Sequence, residues 1–393
     1  MSKRAASPNL KEETSSSKRV CRTEENHSTG CNDPDCNGCD VGNIEITFVG
    51  DNGEDKAADP TAQELLEMAI EEAGNTEAKP EVVQRLFDMA IEKFEKAEPK
   101  NRIGYATCLI ELGQAIKVEE SLREGLDILR GEIKKPDVGP LAQFILARAA
   151  ALLAADIRQK KNALFEEARA ELVDSDGEED EAAMDELNKK QAITREEIKL
   201  YKEAIAAIEK GFVEYDPKNE EQTKALRVAM RQLLSYGQLL EDPSHGIHVD
   251  TLMNKLVSYI QRLENEADSS LLTEWAACLL HKCKFEEIEK QKELCKEVEK
   301  LLLKSNNVYK EAHNEENPWG WELYAMLKMN QSNLAENEDE VLEKFGEAVD
   351  TYKKALELNP ENKELAAMVS MLEGSPEDEE DDDEDEEEGE DEE

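Results

Sequence analysis

Over residues 60–372 apolar side chains recur every three or four positions, the spacing that lines one face of an α-helix. "PTAQELLEMAIEEAG" (residues 60–74) sets the style. Pro60 precedes a stripe of Leu65, Leu66, Ala69 and Ile70, and Gly74 closes it. The same logic predicts further helices starting near Pro80, Asn101, Leu141, Thr194, Asn219, His248, Leu271 and Pro318. Proline and glycine fall at the joints between these segments, as helical hairpins require. "DSDGEEDEAAMDE" interrupts the pattern, and an acidic insertion over about 174–188 is expected to be a solvated loop or a frayed helix end. Before residue 60, only "NIEITFV" has strand-like alternation, at Ile44, Ile46 and Phe48; a lone strand has no core to join unless it adds to a partner's sheet.

Three helical segments share one design: "AIEKFEKAEPKN", "AIEKGFVEYDPKN" and "YKKALELNPEN" each run into a proline-bearing turn. The last matches the second helix of a tetratricopeptide repeat, with Ala348, Tyr352, Ala355 and Pro360 at that motif's spacing. The middle copy offers Ala204, Ile208, Gly211 and Pro217, and the first offers Ala90, Phe94, Ala97 and Pro99. "LIELGQAI" is a fragment of the first-helix signature. The predicted fold class is therefore all-α: an irregular tetratricopeptide-like helical-repeat solenoid in which each helix pair buries its apolar face on its neighbours. Residues 59–373 form this domain, between a disordered N-terminal segment (1–58) and an acidic disordered tail (374–393).

Charge sharpens this picture. The 393 residues include 93 acidic and 48 basic side chains, a formal charge of −45. Such a surface repels nucleic-acid phosphates and anionic lipid and attracts basic partners, so neither nucleic acid nor membrane is expected as a ligand. The most apolar run, residues 141–155, is too short to cross a bilayer and contains Gln143 and Arg148. Sixteen of the last seventeen residues are acidic, a block that cannot collapse. The first 22 residues instead carry a local charge of +4. There Lys3 and Arg4, a spacer of thirteen residues, and then Lys18, Arg19 and Arg22 match a bipartite nuclear import signal. Its two clusters on a polar linker suit the acidic grooves of an import receptor. The N-terminus lacks the apolar core of a signal peptide, which points to reducing conditions and to cysteines kept as thiols or ligands.

Candidate chemistry is sparse. "GCNDPDCNGCD" supplies Cys31, Cys36 and Cys39, to which His27 or Cys21 could add a fourth ligand for tetrahedral zinc. The spacing also occurs in plant-type iron–sulfur proteins, and the cluster could equally be redox-sensitive. One half of a paired zinc pattern, ringed by Asp33, Asp35 and Asp40, favours an unmetallated tract, so no cofactor is assigned. His248-x-Asp250 resembles the start of an iron-binding facial triad, but it falls in an expected loop after Pro243 without a barrel to aim it. Cys278, His281, Cys283 and Cys295 sit in helical stretches and read as core. No phosphate-cradling glycine loop and no nucleophile in a recognisable setting appears, so no catalytic residue is assigned and the chain is not expected to be an enzyme. Ser175 and Ser375 precede acidic residues or proline and are candidate phosphorylation sites. In "ENPWGWELYAM", Trp321 and Tyr324 share a helix face and read as core, whereas Trp319 beside Gly320 is the candidate partner-binding residue.

Taken together, the basic bipartite start, the degenerate repeats over roughly 60–372 and the acidic end resemble the fungal enhancer-of-translation-termination family. The resemblance implies a non-enzymatic adaptor, nuclear with a cytoplasmic pool. It would bind and inhibit a prolyl-hydroxylase-like dioxygenase dependent on iron and 2-oxoglutarate, and carry it into the nucleus. That would restrain transcription-factor degradation under low oxygen, with a role in translation termination and a basic ribosomal protein as a further partner. The cysteine tract lies outside what the resemblance implies. An alternative reading is an acidic chaperone or import carrier for basic cargo, histones or ribosomal proteins, with the tail as a decoy polyanion.

The import signal makes the first prediction. Replacing Lys3, Arg4, Lys18, Arg19 and Arg22 together by Ala should shift a fluorescently tagged chain from nucleus to cytoplasm; unchanged nuclear signal would remove the localisation argument.

Overall fold

The computed structural model describes residues 60–75, 78–136, 138–172, 181–263 and 268–373. Among them it is all-α, a helical-repeat order of fourteen α-helices and one short 3-10 turn, with no strand. The helices group into two compact units divided between Leu239 and Leu240.

In the N-terminal unit, α1 (Ala62–Ala73) begins with a reciprocal cap. The Glu64 amide donates to Thr61 Oγ1 at 3.2 Å while the Thr61 amide donates to the Glu64 carboxylate at 2.7 Å. Helix α2 (Pro80–Lys96) starts on proline, whose missing N–H costs nothing in a first turn. Leu65, Leu66, Phe87, Ile91 and Phe94 of this hairpin form one core with Tyr105 and Leu109 of α3 (Arg102–Ala115). Helix α4 (Glu119–Glu132) then folds back on α3 at unusually close range. A Cβ at Gly113 would lie 2.7 Å from the Leu122 side chain, and one at Gly125 would lie 2.8 Å from Ile110. Gly113 belongs to the "LIELG" fragment, so that part of the repeat signature does what its small residue suggests.

Helix α5 (Pro140–Ala170) departs from simple pairing. It packs on α3 and α4, on α6 (Glu181–Lys189), on α7 (Arg195–Gly211) and on α8 (Glu220–Gln238). Its length and composition would suffice to cross a membrane, but 67% of its apolar window is buried inside the fold, and it is a core helix. Ala147, Ala149, Ala150, Ala151 and Ala154 are all buried, and such short side chains let several helices approach one rod. Gly211 serves the same end, since a Cβ there would lie 2.3 Å from the Phe144 ring. Phe144, Phe212 and Tyr215 meet edge to face around it, with ring centroids 5.8–6.4 Å apart. Below them Arg158 and Glu197 form a fully buried ion pair. Arg158 Nε donates to Glu197 at 2.7 Å and its Nη1 donates to the Gln191 carbonyl at 2.9 Å. Glu197 also closes the cap of α7 through the Thr194 amide, so one carboxylate fixes both where α7 starts and how it meets α5.

In the C-terminal unit a 3-10 turn (Pro243–His245) leads into α9 (Gly246–Leu263). Helix α10 (Ser269–Cys283), buried along nearly its whole length, packs on α9, α11 (Ile288–His313) and α12 (Pro318–Asn333). Helices α12 and α13 (Glu338–Leu358) form the tightest hairpin of this unit, closed by α14 (Lys363–Glu373). Tyr352 and Ala355 enter one core with Ala325, Leu365 and Val369, and Ala348 is also buried.

Several expectations change here. Of the acidic segment, Glu181–Lys189 is helical, with Leu187 buried; the preceding 173–180 lie outside the described residues. Ala97 is exposed at the C-cap of α2, so the first repeat copy ends one turn before its final small position. His248 and Asp250 stand in the first turns of α9, not in a loop. Two residues apart on a helix they point to different faces, and Asp250 instead pairs with Lys282 at 2.6 Å. That hydrogen bond holds the Asp250 pKa below its ordinary value.

The repeat register yields the second prediction. Tyr352→Asp should cost about 3–5 kcal/mol, since it loses a buried aromatic and leaves a carboxylate among Ala325, Leu365 and Val369. Urea unfolding should show the loss; an unchanged midpoint would place Tyr352 on the surface.

Candidate partner-binding surface

The start of α12 is held by a buried polar chain. Its N-cap, Asn317, is only 7% exposed, and the side-chain Nδ2 donates to Thr273 Oγ1 of α10 at 3.3 Å. The Thr273 and Ser305 hydroxyls lie 2.6 Å apart, and each also reaches the Ser269 carbonyl at 2.8 Å. Three helices are thereby tied at one point. Gly320 completes the clamp: a Cβ would fall 2.0 Å from Asn306 Oδ1 of α11, so no larger residue fits without displacement. Pro318 at the first helical position fixes the backbone between these two anchors. Trp319 therefore leaves the surface from a pinned backbone, and the residue is 37% exposed. An aromatic presented this way gives up little freedom on binding, which is why such residues serve as anchors.

The other two aromatics, Trp321 and Tyr324, are half-buried, not fully in the core as their spacing suggested. Trp321 meets Tyr324 edge to face at 5.7 Å, and Lys354 Nζ of α13 lies 3.5 Å from the centre of the Trp321 ring. Lys354 also pairs with Glu316 at 2.8 Å, and Lys310 of α11 takes the other Glu316 oxygen at 3.1 Å. The two ammonium groups pull the Glu316 pKa from 4.5 down to about 2. Tyr324 donates its hydroxyl to Glu299 at 3.1 Å. Burial disfavours the Lys328 charge, yet Glu347, Tyr324 and Glu299 outweigh it and hold its pKa above the ordinary value. A polar lattice thus joins α11, α12 and α13.

Two cavities show something that composition hid. One in the N-terminal unit, about 420 Å³, is rimmed by Arg123 and Arg130 of α4 and by Arg195 and Lys199 of α7. Arg130 is bidentate to Glu203 at 2.6 and 2.9 Å, and Arg123 reaches Glu196 at 2.5 Å. The other, about 410 Å³ in the C-terminal unit, is lined by Lys292, Lys296, Lys328 and Lys344, by Glu299, Glu336 and Glu340, and by Cys295. Basic side chains gather at both, though most are matched by carboxylates: Lys292 by Glu336, Lys328 by Glu299 and Glu347, and Lys344 by Glu347. Composition alone did not show where these basic side chains gather. The i,i+4 pair Arg195–Lys199 is visible in the chain, but its meeting with α4 is not.

No protein-family model matches the chain, and no curated protein matches it by sequence. It is similar in structure to the S. pombe nuclear import adaptor Nro1. The two are 12% identical with a TM-score of 0.44, over 79% of this chain and 98% of that one.

The other predicted site residues divide simply. Lys3, Arg4, Lys18, Arg19, Arg22, the tract Cys31, Cys36 and Cys39 with His27, the strand-like "NIEITFV", and both Ser175 and Ser375 lie outside the described residues. Cys278, His281, Cys283 and Cys295 are buried as expected, and His281 Nε2 lies 3.2 Å from the Leu240 carbonyl. Among the described residues no group of three or more His, Cys, Asp or Glu is placed to hold a metal.

Glu316 carries the third prediction. Its folded pKa is depressed, so its contribution to stability is complete above pH 4.5 and is lost as pH falls towards 2. Glu316→Gln should lower the neutral-pH melting temperature and flatten the decline between those limits. Parallel melting curves for variant and wild type would show that the carboxylate does not stabilise the α11–α13 lattice.

Proposed function

We propose that the chain is a non-enzymatic nuclear adaptor. In this reading it binds and inhibits a 2-oxoglutarate- and iron-dependent dioxygenase, promotes its nuclear localisation, and so limits transcription-factor degradation under low oxygen. The observation that carries the adaptor role is the start of α12, where an exposed tryptophan is held by a three-helix polar clamp in a helical-repeat unit. The basic clusters of residues 3–22 support the import step, with an import receptor as the second partner. The resemblance of the whole arrangement to the enhancer-of-translation-termination family supports the choice of a dioxygenase and a link to translation termination. The strong negative charge would speed encounter with a basic partner surface more than it would set the affinity.

The second reading, a carrier for histones or a basic ribosomal protein, is favoured by one feature, the run of sixteen acidic residues in the last seventeen. A polyanion holds basic cargo by charge, so this mode should weaken steeply with salt, whereas an indole anchored in a partner pocket should not.

Trp319 supplies the fourth prediction. Trp319→Ala should weaken binding to the purified dioxygenase at least tenfold, a loss of about 1.4 kcal/mol or more, with helical content unchanged by circular dichroism. Equal affinity by calorimetry would leave Trp319 as idle surface.

A further inference from the structure

The cavity of the C-terminal unit has a feature that the adaptor reading does not use. Cys295, on α11, lines it, and the sulfur of Cys283 lies 3.8 Å from that of Cys295. Both are free thiols with almost no exposed surface beyond the cavity itself. Cys283 is the last residue of α10, directly before the turn that leads into α11 at Ile288. A sulfur at a helix end can close to the roughly 2.05 Å of a disulfide with less disturbance than one held in mid-helix. Cys108 and Cys278, by contrast, are buried in helix interiors with no second thiol beside them among the described residues, and burial pushes both of their pKa values up.

We propose that Cys283 and Cys295 form a peroxide-sensitive dithiol, with Cys295 as the thiol that reacts first and Cys283 as the one that resolves it. The cavity, about 410 Å³, leaves room at Cys295 for a molecule the size of hydrogen peroxide. Lys292, paired with Glu336 at 2.8 Å, and Lys296 line the same space, three residues before and one after the thiol, together with Glu299, whose charge disfavours the Cys295 anion. Against burial and Glu299, the hydrogen bond between the two sulfurs, 3.8 Å apart, draws the Cys295 pKa down and pushes that of Cys283 up.

The chemistry runs in two balanced steps. Cys295 thiolate attacks one peroxide oxygen, so an S–O bond forms and the O–O bond breaks. The sulfur loses two electrons to the peroxide, whose second oxygen leaves as hydroxide and is protonated to water. Cys283 then attacks the sulfenic sulfur. The S–S bond forms, the S–O bond breaks, and the proton from Cys283 joins the departing hydroxide as a second water. Two thiols and one hydrogen peroxide give one disulfide and two waters. The bond would tie the end of α10 to α11 beside the lysine-lined cavity.

The full-length folded chain, treated with hydrogen peroxide, blocked with an alkylating agent and cleaved after glutamate, tests this. Mass spectrometry should find the 275–286 and 294–297 fragments joined through Cys283 and Cys295, formed at least tenfold faster than any oxidation of Cys108 or Cys278. Cys283→Ser should leave a sulfenic acid on Cys295 that dimedone captures. If the joined fragments form only after denaturation, or if dimedone labels Cys295 no faster than Cys278, the proposal is wrong. Wild-type mapping needs no variant to fold, so a poorly folding Cys283→Ser chain would not protect the idea.

Discussion

No helix of this protein can bury its apolar face alone, so each must lie close against a neighbour, and closeness is governed by what stands at the crossing points. Where helices touch most tightly the chain places glycine or alanine. Gly113 and Gly125 serve α3 with α4, and Gly211 serves α5 with α7. The buried alanine run lies along α5, and Ala348 and Ala355 lie on α13. Short side chains at these points let backbones approach until the larger neighbours, Phe144, Leu122 and Tyr352, fill the space between. Gly320 applies the same rule at the start of α12, where it fixes the backbone from which Trp319 projects. Packing and the candidate binding feature therefore share one physical cause.

That cause also explains what was legible in the sequence. Periodicity and caps gave most of the helix starts, because Thr61, Asn101, Thr194 and Asn219 satisfy first-turn amides locally. The positions of the third repeat copy were readable for the same reason, since Ala348, Tyr352 and Ala355 mark one face of one helix. The hub role of α5 was not readable. Nothing local distinguishes a helix buried by two neighbours from one buried by five, and the buried Arg158–Glu197 pair joins residues 39 positions apart. The half-burial of Trp321 was hidden likewise. Its partner Lys354 comes from another helix, and spacing alone made the ring look like core.

Charge follows the same division between local and tertiary. Composition announces a strongly acidic protein, yet the fold collects Arg123, Arg130, Arg195 and Lys199 at one cavity and four lysines at another. Most of the cross-helix ion pairs they make are partly exposed and contribute modestly one by one. Arg158 with Glu197 is different. It is wholly buried, and removing either partner would strand the other's charge.

The adaptor account places partner binding on the folded helices and not on the acidic end. The most direct test is purification of the full chain and of a chain ending at residue 373, from cells grown at low and at high oxygen, with identification of the proteins that accompany each. The account predicts that a 2-oxoglutarate dioxygenase accompanies both forms in comparable amount. Loss of the main partner on removal of residues 374–393, with histones or ribosomal proteins as what was lost, would contradict it.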